Sequence, residues 1–92
     1  MSGEKKEEIK KAEDYLDIGK LYFLNQRYEE ALSAFQKVIE LEPGNPQGYY
    51  NLGLVYESKN MMLEAKKMFT QTLELDSKFK PAEDHLAKLV GI

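Results

Sequence analysis

The sequence predicts an all-α fold in which about five antiparallel helices form consecutive helical hairpins. Three observations predict it: apolar residues recur at steps of three and four, helix breakers separate these stretches, and the chain repeats itself every 34 residues. Residues 12–45 align with residues 46–79 without a gap, and most of the identical positions are small or apolar. The identical pairs are Tyr15 with Tyr49, Gly19 with Gly53, Tyr22 with Tyr56, Glu30 with Glu64, Ala31 with Ala65, Phe35 with Phe69, Glu40 with Glu74 and Leu41 with Leu75.

Each repeat contains two apolar stretches with a polar interruption between them. In the first repeat, the residues from Tyr15 to Tyr22 place apolar and small side chains on one helical face. The segment 25–27 then breaks the pattern, which resumes at Tyr28 and ends at Leu41, before a segment rich in helix breakers. Each repeat is therefore predicted to be one helical hairpin.

The second repeat and the C-terminal segment continue this organisation. Pro46 is predicted to lie in the first turn of the third helix with Asn45 as its N-cap, since a proline there loses no required donor. A stretch that begins near Pro81 carries apolar residues at helical spacing and predicts one short final helix. The chain thus divides, within a single domain, into a charged extension of the first helix (1–11), a first repeat (12–45), a second repeat (46–79) and a capping helix (80–92).

Glycine occupies the same register in the first helix of both repeats. Gly19 and Gly53 lie inside predicted helices, where glycine costs about 0.5–1 kcal/mol relative to alanine. A close helix–helix contact would compensate for this cost, and Ala31 and Ala65 lie where the partner helix must approach. We therefore expect the two helices of each hairpin to pack at close range at these positions.

Composition argues against several classes of function. The net charge is −3, from 13 basic and 16 acidic residues with interspersed signs, so no basic surface for nucleic acid is expected. The chain has no cysteine and one histidine, His85, which leaves no basis for a disulfide, a thiol nucleophile or a metal site. No apolar run reaches the ~20 residues that cross a bilayer. We expect a cytoplasmic, non-catalytic protein that needs no cofactor.

The recurring motif resembles the tetratricopeptide repeat. The resemblance covers about residues 12–79 and implies a right-handed solenoid of hairpins whose first helices line a concave groove, with a role as a protein-binding adaptor or scaffold. The residues that carry it are Tyr15, Ile18, Gly19, Tyr22, Ala31, Phe35 and Pro43, then Tyr49, Leu52, Gly53, Tyr56, Ala65 and Phe69.

The chain departs from the family pattern at three places. The glycine expected in the turn inside each hairpin is Gln26 in one repeat and Asn60 in the other, and asparagine tolerates left-handed geometry more readily than glutamine. Ser77 replaces the proline expected at the end of the second repeat. Glu83 replaces the aromatic residue expected near the start of the third segment, which implies that the last helix is a cap.

The resemblance also implies which residues line the groove. They mix apolar with hydrogen-bonding side chains, and this mixture suits an extended or helical peptide better than a highly charged tail. The predicted groove residues are Leu16, Asp17, Lys20, Phe23, Tyr50, Asn51, Leu54, His85 and Lys88, with Glu13, Leu24, Gln47, Glu57 and Asp84 beside them.

Some members of the family hold the C-terminal carboxylate of a chaperone with a clamp of lysines, asparagines and an arginine. At the corresponding positions this chain matches the clamp only at Asn51. The other four positions carry Leu16, Lys20, Pro81 and His85. We therefore expect no chaperone-tail binding by this route.

Two functions from different classes stay open on the sequence alone. The first is a protein–protein interaction module that binds a peptide or partner protein in the groove. The second is a structural module that self-associates as a homo-oligomer, or a fragment of a longer repeat array, that stacks through its terminal hairpins. Two repeats are fewer than the three or more usual for an isolated array, which favours the second idea. The identity of the partner is not specified by the sequence.

Overall fold

Five α-helices joined by short turns form the chain in the computed structural model, which describes the backbone of residues 2–91 and the side chains of residues 7 and 9–91. In order, they are α1 (Ser2–Leu24), α2 (Tyr28–Leu41), α3 (Pro46–Ser58), α4 (Met62–Leu75) and α5 (Lys80–Leu89). α1 packs with α2 and α3 with α4 as hairpins, while α2 contacts α3 and α4 contacts α5. Within the described residues there is no strand, so the predicted all-α, solenoid-like fold of five helices is confirmed.

The first helix is longer than its counterpart in the second repeat. α1 begins at Ser2, whereas α3 begins at Pro46, the first position of its repeat. Residues 2–11 therefore continue α1 as a helix. The division of the chain into four parts stays a prediction, and Met1 and Ile92 lie outside the described residues.

The turns inside the two hairpins close with the same hydrogen-bond motif, although neither has a glycine. Gln26 and Asn60 both adopt the left-handed conformation, with φ of 61°. At the first turn the Arg27 amide donates to the Tyr22 carbonyl at 2.9 Å, and the Gln26 amide donates to the Phe23 carbonyl at 3.0 Å. The same two bonds recur at the second turn. This Schellman pattern satisfies carbonyls that the helix end would otherwise leave free.

Asn45 organises the turn between the repeats, as the sequence predicted. Its side-chain oxygen accepts a hydrogen bond from the Gln47 amide at 2.9 Å, and Pro46 follows at the start of α3. Its side-chain nitrogen donates to the Glu42 carboxylate at 3.1 Å. The cap thus satisfies one free N–H group of α3 and also links the turn to the end of α2.

Buried side chains form two clusters, each of which joins a hairpin to the helix that follows it. The first cluster contains Ala31, Leu32 and Phe35 of α2 with Leu52 and Val55 of α3. The second contains Ala65 and Phe69 of α4 with Ala82 of α5. α5 therefore packs on the second hairpin at the place where α3 packs on the first.

A phenylalanine ring of the second helix lies against the glycine of the first helix in both hairpins. A Cβ atom on Gly19 would lie 2.5 Å from Cε1 of Phe35, and one on Gly53 would lie 2.5 Å from Cε1 of Phe69. Both rings are buried. The predicted close contact is present, but the group that meets the glycine is a phenylalanine ring and not the alanine that the sequence suggested.

We expect Gly53→Ala to lower the free energy of unfolding by about 1–3 kcal/mol, because the added methyl group would overlap the buried Phe69 ring. Urea unfolding followed by circular dichroism measures the change. Gly44→Ala is the matched control, since no atom lies within 4 Å of a Cβ atom there. Equal stability of the two variants would contradict this explanation of the glycine.

Gln26→Gly is expected to stabilise the protein by up to about 1 kcal/mol. The left-handed conformation costs a residue with a Cβ atom about 1–2 kcal/mol, and glycine avoids this cost. The greater conformational freedom of glycine in the unfolded chain offsets part of the gain. Asn60→Gly should change stability less, since asparagine tolerates this conformation. The urea midpoints of both variants test this order. The explanation fails if Asn60→Gly raises the stability of the protein as much as Gln26→Gly does.

Candidate functional site

The nine predicted groove residues lie on the first helix of each hairpin and on the final helix. α1 carries Leu16, Asp17, Lys20 and Phe23, α3 carries Tyr50, Asn51 and Leu54, and α5 carries His85 and Lys88. Three of them are exposed: Asp17, Lys20 and Lys88. Five are partly buried: Leu16, Phe23, Tyr50, Leu54 and His85. Asn51 is buried. Their use as a binding surface stays a prediction.

Among the predicted groove residues of α1, the two apolar side chains pack inward while the two charged ones face solvent. Leu16 and Phe23 pack against the first buried cluster, and the Phe23 ring lies 5.9 Å from the Tyr28 ring. Asp17 and Lys20 stay exposed. This end of the predicted groove therefore combines the edges of two anchored apolar side chains with charges of both signs.

Four rings meet where α3, α4 and α5 join, and the set Tyr50, Phe69, Phe79 and His85 is named the aromatic junction below. The Tyr50 ring centroid lies 5.0 Å from that of Phe79 and 5.9 Å from that of Phe69. The His85 ring lies 6.0 Å from Tyr50 and stacks on Phe69 at 5.2 Å. Leu54 packs against the same buried cluster. The fold thus brings three predicted residues, Tyr50, Leu54 and His85, into one cluster.

A hydrogen bond between α5 and α3 lies beside these rings. Nδ1 of His85 lies 3.1 and 3.3 Å from the two carboxylate oxygens of Glu57. A carboxylate only accepts hydrogen bonds, so we assign the proton to Nδ1, which donates it in the neutral or the charged ring. Both side chains are 27% exposed, so the pair orients the imidazole while leaving it within reach of a ligand.

Asn51 is the most buried of the nine predicted residues, at 6% exposure. Its Nδ2 donates to the backbone carbonyl of Gln47, one turn earlier, at 2.7 Å. One of its two N–H donors is therefore used inside α3. At another of the positions that the resemblance assigns to the clamp, His85 is hydrogen-bonded to Glu57.

Negative charge surrounds the hydroxyl group of Tyr50. Burial raises the pKa of Tyr50 above its usual value of 10.0, and the carboxylates of Glu57 and Asp84 raise this pKa further because they disfavour a phenolate. At the edge of the same region, a hydrogen bond to Asp84 at 3.1 Å raises the pKa of the exposed Lys80. Two carboxylates, of Glu57 and Asp84, therefore lie beside the aromatic junction, and Lys80 pairs with the second of them.

Phe79 is the member of the aromatic junction that the sequence analysis missed. Glu83 occupies the position where the family has an aromatic residue, and the third segment was therefore predicted to lack one. Phe79 instead precedes α5 as its N-cap residue and packs its ring on Tyr50. The sequence carried one signal for this contact: Phe79 is an aromatic residue directly before Lys80 and Pro81, at the start of the last helix. Leu16 and Phe23 belong to the other cluster and do not join this group.

Over the part of the chain that the structure describes, no three side chains of the metal-ligating types come close enough to hold an ion. Among the same residues, no helix combines the length and the apolar character that crossing a bilayer requires.

Two family models match the chain. One, described as TPR repeat, matches residues 19–60, and the other, described as tetratricopeptide repeat, matches residues 46–79. The second range coincides with the second repeat read from the sequence.

Curated relatives share this region as part of longer chains. Superkiller protein 3 of Schizosaccharomyces pombe is 35% identical over 86 residues, which is 89% of this chain and 6% of that protein. The uncharacterized protein ycf37 of Guillardia theta is 34% identical over 77 residues, which is 84% of this chain and 43% of that protein. The chain thus spans less than half the length of either relative.

Solved structures with a similar fold include two with sequence identity above a quarter. The TPR2B domain of yeast Sti1, in its complex with pHsp70, superposes with a TM-score of 0.82 and 26% identity over 86% of this chain and 63% of that one. YrrB, described as a TPR protein with an unusual peptide-binding site, superposes with a TM-score of 0.78 and 29% identity over 83% of this chain and 39% of that one.

We expect Tyr50 to ionise above pH 10.0. The unfolded chain lacks the burial and the nearby carboxylates, so it releases this proton at lower pH. The contribution to stability is therefore fully present below about pH 10 and is lost as the pH rises through the folded pKa. The near-ultraviolet absorbance of phenolate, followed against pH, measures the ionisation. The ionisation of Tyr50 above pH 10.0 is called the late step of the titration. Tyr50→Phe should remove this step, and Glu57→Gln should move it to lower pH.

Tyr49→Phe is the control for this titration, because it removes the neighbouring hydroxyl group and leaves the surroundings of Tyr50 in place. The late step should persist in that variant. A late step that survives in Tyr50→Phe would contradict the assignment.

Proposed function

The chain belongs to the tetratricopeptide repeat family, and on this premise we propose that it is a non-catalytic interaction module that binds a peptide or partner protein in a concave groove. The groove is formed by α1, α3 and α5, which carry the nine predicted residues. The activity and partners of the whole protein belong to this proposal, because the chain spans only part of its curated relatives.

The aromatic junction is the observation that carries the proposal. Tyr50, Leu54 and His85 are held by packing and by the bond to Glu57, yet each keeps part of its surface exposed. Side chains fixed in this way lose little conformational entropy when a ligand binds. Aromatic anchors of this kind also supply much of the binding energy at protein interfaces.

The charges of the groove favour a ligand with apolar and basic side chains. The acidic residues are Glu13, Asp17, Glu57 and Asp84, and the basic ones are Lys20 and Lys88, with Lys80 at the edge paired to Asp84. The acidic residues outnumber the basic ones here, whereas a carboxylate clamp is positively charged. The Sti1 domain was solved in complex with pHsp70; in this chain Leu16, Pro81 and His85 stand at three clamp positions. We therefore propose binding that does not depend on a C-terminal carboxylate.

Self-association is the alternative function, and the exposure of Ile18 and Leu21 on α1 favours it. Sedimentation at micromolar concentration separates the two, because a clean monomer would exclude a module that acts by pairing with itself. A cytoplasmic location and a role as an adaptor remain predictions.

Charge reversal in the groove tests the proposed ligand class. Peptides are first selected on the parent protein from a random displayed library, and we expect them to be enriched in apolar and basic residues. Asp17→Lys combined with Asp84→Lys should then weaken their binding about tenfold, because each reversal replaces an attraction with a repulsion. Tyr50→Ala should weaken it by at least about tenfold. Fluorescence polarisation measures the dissociation constants.

The matched control is Glu40→Lys combined with Glu74→Lys. These residues are exposed at equivalent positions of α2 and α4, so the control makes the same change in net charge outside the groove. Its affinity for the selected peptides should stay close to that of the parent. Equal weakening by the control, or selected peptides that are uniformly acidic, would count against the groove.

A further inference from the structure

His85 is the one histidine of the chain, and it lies where α5 meets α3 and α4. Its ring stacks on the buried ring of Phe69 and stands edge-on to Tyr50. Its Nδ1 donates a hydrogen bond to the Glu57 carboxylate. Because rings pack on the imidazole and a hydrogen bond holds one of its nitrogens, the orientation of the ring is fixed. The two ring nitrogens therefore have different surroundings.

The second ring nitrogen of His85, Nε2, is accessible at the surface of the aromatic junction. Among the described residues, Nε2 forms no hydrogen bond, and no buried polar side-chain atom lacks a partner. An Nε2 atom without a partner must therefore reach solvent, in agreement with the 27% exposure of this side chain. Because the Glu57 carboxylate keeps the proton on Nδ1, the neutral ring presents Nε2 as a hydrogen-bond acceptor.

Protonation of the ring reverses what Nε2 offers to a ligand. Both nitrogens of a charged imidazole are donors, so Nε2 gains a proton and no longer accepts a hydrogen bond. The ring then carries a positive charge 3.1 Å from the Glu57 carboxylate and offsets the negative charge of that group. A basic group of a ligand would lose its acceptor and would also meet a like charge. Histidine makes this change of charge between about pH 5 and pH 8.

The groups around His85 leave it as the residue of the junction that responds near neutral pH. On α4 its ring lies against Phe69, and no charged side chain of that helix forms an ion pair with it among the described residues. The Tyr50 hydroxyl group stays neutral in this range because burial and nearby carboxylates raise its pKa above 10.0. The charged and titratable groups that face the imidazole are Glu57 and Tyr50 on α3, and Asp84, its partner Lys80 and Lys88 on α5. Of these residue types and histidine, only histidine ordinarily changes its charge near neutral pH.

We propose that His85 makes ligand binding in the concave groove dependent on pH. The neutral ring accepts a hydrogen bond at Nε2 from a lysine or arginine side chain of the ligand, and protonation of the ring removes this contact. Glu57 is the positioning residue, because its carboxylate holds the proton on Nδ1. This regulation rests on the proposed function, since it concerns the same groove and the same class of basic ligand.

The first test needs no ligand. Nitrogen NMR shifts of the imidazole in the isotope-labelled full chain distinguish a proton on Nδ1 from one on Nε2, and a single histidine makes the signals unambiguous. At about pH 8 we expect a neutral ring with its proton on Nδ1. Glu57→Ala should abolish this preference. Asp84→Asn is the matched control, because it removes the other nearby carboxylate and leaves the partner of Nδ1 in place.

The binding test compares two pH values. Peptides are selected on the parent at about pH 8 from a random displayed library that lacks histidine. Fluorescence polarisation then measures their dissociation constants at about pH 8 and at about pH 5.5. We expect the affinity of basic peptides for the parent to fall about tenfold or more at the lower pH, because a charge-assisted hydrogen bond is replaced by a repulsion.

Two variants assign this change to His85. His85→Asn should bind the peptides more weakly than the parent at about pH 8 and with little change at about pH 5.5, because its side chain cannot gain a charge. The matched control adds Gln36→His to His85→Asn, which restores one histidine at an exposed position of α2, outside the groove. Binding by this control should stay independent of pH. Circular dichroism at both pH values establishes that the variants are folded.

Three results would overturn the regulation by His85 and leave the proposed function in place. The first is a neutral ring with its proton on Nε2 in the parent, or a proton on Nδ1 that Glu57→Ala does not affect. The second is peptide binding to the parent that stays constant or strengthens at the lower pH. The third is a pH dependence that persists in His85→Asn. Failure to select any peptide would instead overturn the proposed function, and the regulation with it.

Discussion

The stack depends on a glycine in the first helix of each hairpin that leaves room for a phenylalanine ring of the second. Phe35 and Phe69 are the largest fully buried side chains, and each lies where a Cβ atom on Gly19 or Gly53 would clash. The contact lets the two helices approach closely, so it sets the spacing of each hairpin. Because the two hairpins share this spacing, the helix that follows each hairpin meets an equivalent surface. α3 and α5 occupy equivalent places for this reason.

The last helix uses this equivalent place with different chemistry. Shifted by 34 residues, Phe79 corresponds to Asn45 and His85 corresponds to Asn51. The asparagines form hydrogen bonds with neighbouring groups of their own segment. Their replacements reach across to α3, where Phe79 packs on Tyr50 and His85 bonds to a carboxylate. The aromatic junction arises from these two replacements, and it gives the C-terminal end of the proposed groove an aromatic cluster that the N-terminal end lacks.

Most of the fold could be predicted from the sequence, because the signals for it are local. Helical periodicity, the breakers between stretches and the Asn45–Pro46 cap depend on residues within a few positions of one another. The groove was harder to predict. The predicted groove residues lie on α1, α3 and α5, and their use as a groove stays a prediction. The bond between His85 and Glu57 joins residues 28 positions apart, and no periodicity reveals it. The aromatic contribution of Phe79 was missed for the same reason, since its partner Tyr50 lies on another helix.

By itself, the sequence determined which residues share a helical face and where the breaks between the helices fall. The tertiary structure alone decided which of those faces are covered. Ile18 and Leu52 stand at one register with nearly the same side chain, yet only Leu52 is buried. The physical reason is that periodicity sets the direction of a side chain along its own helix, whereas burial requires a second element that arrives from elsewhere. α2 supplies that element for α3, and the described residues supply none for the face of α1 that carries Ile18.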